Sequence, residues 1–532
     1  VAERNGHPVY VAEAHLYRAR LLAIAGDLRA AERDLAAARA AQAQRAVRDD
    51  RVRGILRSRR QMAEARARFG ADPRGAAGAL DSAVAFFLGP MQSTSLAFPA
   101  MVDAAHARLA AGDAPLAEAR MDSVITLLER RRDRVRMEPR RAAVFEEART
   151  LVDRVAMLRL AAGRPAEALA YLDRGRASLA TVGAAVSGTP PPRVAAPPGE
   201  VAIAWTLVAD TLLTWTVEGE RVQVARAVVD TARLASVIDR VRRQLEARAA
   251  DAELRPGLAR LYDWLVRPVE GRLGRPETPL VIVADGALGA VPFPALYDAR
   301  RGRYLLEDHA LRTAPSLREA RRAAPRPEGA PAVFVADPAF DALRHPGFAR
   351  LSGSAAEVRQ IAAAYPDARV LADTGANGGA VRATLEHAGL VHYAGHAVFD
   401  DERPERSYLL LAPGGGAGAT LTAAEIAGMD LRHLSVVVLS ACQTVRTGPG
   451  RAAGFSGLAG AFLAAGAGGA VGSLWEVDDG LTRPLMVEFH RAYRASANGP
   501  GALRAAQLRL LRSGDPALRS PAAWAGFRYA GR

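Results

Sequence analysis

Lysine is absent from this 532-residue sequence, so all 71 basic residues are arginine, and asparagine occurs only at Asn5, Asn377 and Asn498. Loss of the residues with A-rich codons, together with abundant alanine and arginine, is typical of a GC-rich genome. The formal net charge of +14 is therefore weak support for a nucleic-acid partner, since the arginines are interspersed with acidic residues. We expect no nucleic-acid partner, and a nucleic-acid-binding repeat protein is the least favoured class.

Cysteine occurs once, as Cys442. A single cysteine excludes an intramolecular disulfide framework and a zinc site built on cysteines, so a reducing cytoplasm is the simplest location. The sequence starts at Val1 without a methionine and without a charged segment leading into an apolar one. We predict a cytoplasmic protein and expect Val1 to be a point of truncation.

Long runs of large apolar residues are also missing. The longest segment without charge, 452–475, contains seven glycines and is otherwise rich in alanine. It has too few large side chains to favour insertion into lipid. We interpret it as a packed helix at 455–465, a glycine turn and a buried strand at 470–475, and we predict no membrane association.

Residues 1–180 carry apolar side chains at three- and four-residue spacing, which predicts consecutive helices. Four glycines each precede a helix with small and apolar residues at i, i+4 and i+7, namely Gly26, Gly70, Gly112 and Gly163. Small residues at this spacing let two helices approach closely, so the array resembles a superhelix of tetratricopeptide (TPR) repeats. These glycines lie 42 to 51 residues apart, further than the ~34 residues of that repeat, and an irregular helical array is the alternative.

Residues 181–200 form a stiff proline-rich linker. From 201 to 532, apolar strands alternate with amphipathic helices such as 355–364, 423–427 and 481–495. Strands that are apolar throughout and separated by helices predict an α/β domain with a mainly parallel central sheet covered by helices on both faces. The predicted strands are 201–205, 212–217, 280–284, 332–336, 390–394, 407–411, 435–440 and 470–475.

Two of these strands lead into reactive side chains. His396 follows the strand 390–394, and Cys442 follows the strand 435–440. Reactive groups gather at the carboxyl ends of parallel strands, where a thiol and an imidazole form a nucleophile and its base. Their separation of 46 residues matches the caspase arrangement, in which the histidine lies roughly 50 residues before the cysteine.

Six sequence phrases from 201 to 532 together resemble the CHAT domain, a caspase-like relative of separase and gingipain that commonly follows TPR repeats. One phrase contains His396 and another contains Cys442. The phrases, in chain order, are 279–296, 390–397, 439–444, 461–467, 473–479 and 523–527.

The resemblance implies a cysteine endopeptidase with His396 and Cys442 as its catalytic dyad and with a protein or peptide substrate. It also implies an oxyanion hole formed by the backbone amides of Cys442 and of Ala397, where family members usually have glycine. No cofactor is expected. The runner-up interpretation is a catalytically inactive scaffold of the same fold.

A metal site at His392 and His396 is disfavoured. The flanking residues favour a strand, in which four residues span roughly 13 Å, too far for one ion to bridge. We therefore interpret His392 as a structural residue beneath the site. The glycine-rich segment 414–419 is not a phosphate-binding loop, because that motif requires a lysine that this sequence lacks.

The sequence says little about specificity. The resemblance places Ser440, two residues before Cys442, in the substrate pocket, and Asp400, Asp401 and Asp478 lie on loops expected near the same end of the sheet. Alternatively, Asp478 caps the helix starting near 481, where an anion is favoured.

The helical region predicts a protein partner. Stacked helical hairpins form a concave surface suited to a protein or peptide. We expect this region to bind a regulatory protein that controls the peptidase, and recruitment of substrate is the alternative.

Overall fold

The structure, a computed structural model, describes most of the chain. The described residues are 8–43, 49–135, 152–180, 194–208, 210–284, 286–322, 329–345, 347–400, 403–416, 418–441, 457–475 and 479–532. Described residues up to 157 form one compact unit, and described residues from 158 onward form a second. The domain limits given above at 180 and 200 stay predictions.

The first unit is helical, as predicted. Its helices begin where short polar side chains cap them, as Asp72 does by accepting a hydrogen bond from the Gly75 amide at 2.8 Å. Gly26 and Gly112 have φ angles of 85° and 78°, a left-handed conformation that suits glycine at helix ends. The helices are α1 Pro8–Ile24, α2 Leu28–Ala43, α3 Asp50–Ala67, α4 Pro73–Leu88, α5 Thr94–Ala110 and α6 Ala114–Val135.

Buried alanines dominate the core of this unit. Ala12, Ala19 and Ala38 are fully buried and pack with Leu16 and Leu35 in one cluster. Small side chains let α1 and α2 approach closely, as the repeat pattern predicted. The helical region is consistent with TPR-like repeats.

The first unit also buries charge. Arg20 and Asp103 form an ion pair with a 2.6 Å contact, and both side chains are nearly inaccessible. Arg66 lies 3.4 Å from Nδ1 of buried His106. Burial and the nearby arginines lower the pKa of His106 from its usual 6.5 to about 3.

A helix at 152–161, α7, contains the division between the units. No helix in the described part of the chain is long and apolar enough to cross a membrane. The helices of the second unit are α8 Pro165–Ala180, α9 Thr231–Glu246, α10 Asp251–Leu265, α11 Leu305–Asp308, α12 Leu317–Ala320, α13 Ser352–Ala362, α14 Gly378–Leu385, α15 Ala423–Ala427, α16 Leu458–Ala464, α17 Asp479–Ser496, α18 Gly499–Leu511, α19 Pro516–Arg519 and α20 Pro521–Trp524.

The strands of the second unit include all eight that the sequence predicted, with ends shifted by up to three residues. They are β1 Val201–Val208, β2 Thr211–Glu218, β3 Arg221–Val228, β4 Leu280–Val283, β5 Tyr297–Asp298, β6 Arg303–Tyr304, β7 Leu311–Thr313, β8 Ala332–Pro338, β9 Arg369–Asp373, β10 Leu390–Ala394, β11 Ala397–Val398, β12 Tyr408–Leu410, β13 Thr420–Thr422, β14 Val436–Ser440, β15 Gly469–Ser473 and β16 Phe527–Gly531.

Eleven of the described strands form one sheet in the order β3-β2-β1-β4-β7-β16-β15-β14-β10-β8-β9. Its pairs are parallel except β1 with β2, β2 with β3 and β15 with β16. The prediction of a mainly parallel sheet is therefore confirmed. Smaller sheets join β11, β12 and β13, and β5 and β6.

Both faces of the sheet are buried. Val436 and Val438 of β14 belong to one apolar cluster, whereas Val437 and Leu439 belong to another. Successive side chains point to opposite faces, so a strand buried on both faces is apolar throughout. This explains why the uninterrupted apolar runs predicted the central strands so well.

Helix α8 packs against the sheet and helix α12 within the second unit. The buried Asp173 carboxylate accepts hydrogen bonds from the amides of Leu317, at 2.6 Å, and Arg318, at 3.1 Å. Arg176 donates to the Thr206 hydroxyl at 3.0 Å and to the carbonyl of Trp205. The last helix with the repeat pattern thus belongs to the second compact unit.

Candidate active site

Four of the residues predicted for the site are described, and they lie at the carboxyl edge of the central strands. His396 follows β10, Ala397 begins β11, and Asp400 comes after β11. Ser440 is the last residue of β14 and pairs with Ala394 of β10. Cys442, Asp401 and Asp478 lie outside the described residues, so their predicted roles stay predictions.

The ring of His396 is held by a backbone carbonyl. Its Nε2 lies 2.7 Å from the oxygen of Ala349. A carbonyl only accepts, so Nε2 carries a proton, and the lone pair of the neutral form of the ring is on Nδ1. The plane is fixed as well, since Phe348 stacks on the ring at 4.4 Å and Phe340 meets it edge-on at 5.5 Å.

The backbone at His396 is fixed from beneath. The Tyr393 hydroxyl lies 2.7 Å from the carbonyl oxygens of both His396 and Leu410, and the Leu410 amide donates to the His396 carbonyl at 2.9 Å. A Cβ atom at Gly395 would lie 2.6 Å from the Tyr393 hydroxyl and 3.0 Å from Pro338. Glycine is therefore needed where the chain crosses Tyr393 to reach His396.

The amide of Ala397 points away from strand β12. Ala397 is opposite Leu409 in the antiparallel pair of β11 and β12, and the flanking pair, His396 and Leu410, is hydrogen-bonded. Hydrogen-bonded and non-hydrogen-bonded pairs alternate in such a ladder. The Ala397 N–H is therefore not used in this ladder, as an oxyanion donor requires.

The chain leading to position 442 is held by Ser473 at the end of β15. The buried Ser473 hydroxyl donates to the Ala441 carbonyl at 2.9 Å. This bond fixes the backbone one residue before the predicted nucleophile. Ser473 belongs to one of the phrases that resemble the CHAT domain, but the sequence did not indicate this contact.

Asp400 stabilises a turn. Its carboxylate accepts from the Arg403 amide at 2.7 Å, and its own amide donates to the Ser407 hydroxyl at 3.1 Å. These bonds explain its presence without a substrate, so a role in the substrate pocket stays a prediction.

His392 lies beneath the site in a buried chain of polar groups. Its Nε2 is 2.9 Å from Glu357 Oε1, and its Nδ1 is 3.0 Å from His490 Nε2. His490 Nδ1 in turn lies 2.8 Å from the Tyr365 hydroxyl. Burial, together with the neighbouring His392, lowers the pKa of His490 well below its usual 6.5.

Both ring nitrogens of His392 are therefore engaged within the protein, and the residue is fully buried. This agrees with the interpretation of His392 as a structural residue. Among the described residues, no group of three or more His, Cys, Asp or Glu side chains is placed to hold a metal ion.

The loop 339–351, between β8 and α13, was missed by sequence analysis. It supplies Phe340, Phe348 and Ala349, which surround His396. The contact from Ala349 is made by a backbone carbonyl, which has no signature in sequence. The aromatic residues Phe340 and Phe348 are only weak evidence for a contact with His396, because aromatic residues are also usual in hydrophobic cores.

Comparison with known proteins identifies one family. The sequence model of the CHAT domain matches residues 255–532. No curated protein matches the chain.

Solved structures resemble the fold at low sequence identity, and 33 of their chains match. One is the Saccharomyces cerevisiae separase–securin complex at 2.6 Å resolution, with a TM-score of 0.48 and 9% identity. Another is the same complex at 3.0 Å resolution, with a TM-score of 0.50 and 10% identity. Both alignments cover 98% of this chain and 47% of the other, so the chain spans about half the length of the solved chains that it matches. The likeness at a TM-score of 0.50 supports a separase-like fold.

Proposed function

This chain belongs to the CHAT-domain family, and on that premise we propose that it is a caspase-like cysteine endopeptidase with His396 and Cys442 as its dyad. The substrate is a protein or peptide. Backbone amides of Ala397 and Cys442 form the oxyanion hole, and Ser440, Asp400, Asp401 and Asp478 are the candidates for the substrate pocket.

The observation that carries this proposal is the register of β10 and β14. Leu390 pairs with Val436 and Ala394 pairs with Ser440, an offset of 46 positions at both ends of the pair. Cys442 follows His396 by the same 46 positions. Adjacent strands are about 4.8 Å apart, so continuing this register by two residues would set the thiol beside the imidazole.

The tautomer of His396 supports a direction for proton transfer. With Nε2–H donated to Ala349, Nδ1 accepts the thiol proton as the sulfur attacks the peptide carbonyl. The amides of Ala397 and Cys442 stabilise the resulting oxyanion. Nδ1–H then protonates the leaving amine, and a water molecule, deprotonated by the same nitrogen, hydrolyses the thioester and regenerates the thiol.

A thiol-directed peptide probe tests the proposal. Wild type and Cys442→Ala are treated with a mixture of peptide acyloxymethyl ketones, and cleavage of an unbiased peptide library is measured in parallel. Labelling and cleavage by wild type alone are expected. Equal cleavage by both proteins contradicts the dyad, and neither labelling nor cleavage by folded wild type favours the inactive scaffold.

The helical region is proposed to bind a regulatory protein. The first compact unit consists of close-packed helices, and stacked helices of this kind present extended concave surfaces. The solved separase chains described above are in complex with securin. Rates on a short peptide are compared for the full chain and for a chain starting at residue 158. Control of the peptidase predicts different rates, whereas substrate recruitment predicts equal peptide rates and a loss on protein substrates only.

A further inference from the structure

The residue after Ala349 joins two strand ends. Arg350 Nε donates to Asp337 Oδ2 at 2.9 Å, and a terminal nitrogen of Arg350 lies 2.8 Å from the same oxygen. That nitrogen is also 2.9 Å from Asp373 Oδ1. Asp337 lies near the end of β8, and Asp373 is the last residue of β9. One guanidinium therefore ties the loop beside His396 to both strands.

Both carboxylates come from strained backbone. Asp337 and Asp373 have φ angles of 39° and 50°, a left-handed conformation that residues other than glycine adopt uncommonly. The pairing of β8 with β9 is irregular at the same place, between Ala336 and Pro338. Such backbone persists only where surrounding contacts hold it, and the shared contact of these two residues is Arg350.

Asp337 also holds the next residue of the loop. Its Oδ1 accepts from the Leu351 amide at 3.0 Å, immediately before helix α13. Both residues that follow Ala349 are thus bound by one buried carboxylate. The Ala349 carbonyl that contacts Nε2 of His396 therefore comes directly before two anchored residues.

A stabilising role alone does not account for the arrangement. The Arg350 side chain is 52% exposed, and ion pairs exposed to solvent contribute little to folding. The ion pairs of Arg350 lie next to Ala349, whose carbonyl oxygen is 2.7 Å from His396 Nε2.

We propose that Arg350 is a positioning residue for His396, which acts through Asp337 and Asp373 to hold the Ala349 carbonyl against Nε2. The inference rests on the proposed function of His396 as the catalytic base. Misplacing a catalytic group by about 1 Å can cost roughly 100-fold in rate.

The test compares Arg350→Gln, Arg350→Lys and Asp373→Asn with wild type. Arg344→Gln is the matched control, since Arg344 lies on the same loop, is 84% exposed and lies 3.4 Å from Asp341. For each protein, kcat and KM on a cleaved peptide are measured with the melting temperature. The ring tautomer of His396 is read by NMR on ¹⁵N-histidine protein, with the signal assigned from His396→Ala.

We expect Arg350→Gln to lower kcat about 10- to 100-fold with KM unchanged, and to replace the Nε2–H form of His396 with a mixture of tautomers. Arg350→Lys should recover part of the loss, and Asp373→Asn should lose less than Arg350→Gln. Arg344→Gln should behave as wild type.

Two results overturn the inference. An unchanged kcat and an unchanged tautomer in folded Arg350→Gln show that the anchor does not position His396. A higher KM at constant kcat shows that Arg350 contacts substrate instead. If wild type cleaves nothing, the proposed function fails, but the NMR readout still decides whether Arg350 sets the tautomer of His396.

Discussion

His396 donates its Nε2 proton to the carbonyl oxygen of Ala349 across 2.7 Å. In the proposed dyad, Nδ1 is therefore the nitrogen available to accept the thiol proton. The arrangement needs no carboxylate to orient the imidazole, because a neutral backbone group chooses the tautomer. In the proposed dyad, the pH dependence of Cys442 alkylation therefore tests whether the thiol and this ring interact.

His396→Ala should slow alkylation of Cys442 at neutral pH. Without the imidazole, the thiol should titrate near its ordinary pKa of about 8.5, so the profile of alkylation rate moves to higher pH while slow alkylation persists. The measurement is the rate of iodoacetamide addition from pH 5 to 10, followed by intact mass. His387→Ala, which removes an exposed histidine, is the control, and coincident profiles for wild type and His396→Ala would show that the two side chains do not interact.

Ser473→Ala should disturb the site from the neighbouring strand. Loss of the hydroxyl leaves the Ala441 carbonyl without its 2.9 Å donor, which should cost about 1 to 3 kcal/mol of stability and slow probe labelling of Cys442. Chemical denaturation and labelling rates are measured together. Ser496→Ala removes a comparable 3.0 Å bond to the Ala492 carbonyl at an exposed helix end, and it should change neither stability nor labelling rate. If Ser473→Ala is labelled as fast as wild type, Ser473 does not position the site.

His392→Ala should lower stability more than it changes the chemistry. Removing this fully buried ring leaves Glu357 and His490 without their shared partner, and each buried polar group left unpaired costs about 1 to 3 kcal/mol. Thermal melts and cleavage rates are compared on one preparation. A variant that melts like wild type but no longer cleaves would place His392 in the reaction instead.

The helical unit should lose stability as the pH falls below 6.5. The pKa of His106 drops from 6.5 when unfolded to about 3 when folded, so the unfolded state binds more protons in that window. Stability is fully present above pH 6.5 and decreases as the pH falls towards 3, by at most about 1.4 kcal/mol per unit. Hydrogen exchange in α5 at pH 7 and pH 5 measures the change of stability with pH. His106→Gln should reduce that change, and an equal change in both proteins would show that other groups cause it.

The sequence pattern predicted the strands of the central sheet that are buried on both faces. The limits of β10 and α15 agree with prediction to the residue, because each is marked by a clear signal. Gly395 ends β10, and the Thr422 and Glu425 capping box begins α15. Strand β3, Arg221–Val228, was missed because it is a half-exposed edge strand with charged residues.

Strand β16, Phe527–Gly531, was missed for a different reason. It runs between β7 and β15, which lie far away in sequence, and its short mixed sequence has no period of its own. The predicted dyad followed from two side chains at strand ends. The groups that orient His396 could not be predicted this way, since Ala349 acts through its backbone and Arg350 through ion pairs with aspartates at the ends of two strands.

The position of helix α8 determines where the second unit can be excised from the chain. A domain that begins in the proline-rich segment lacks α8. It therefore loses the bonds from Asp173 to the amides of Leu317 and Arg318 and the bond from Arg176 to Thr206. The amides of Leu317 and Arg318 at the start of α12 and the Trp205 carbonyl in β1 would then lose these hydrogen-bond partners. Grafting the sheet-containing domain onto another protein therefore requires a junction before α8, upstream of the proline-rich segment at which composition alone places the domain boundary.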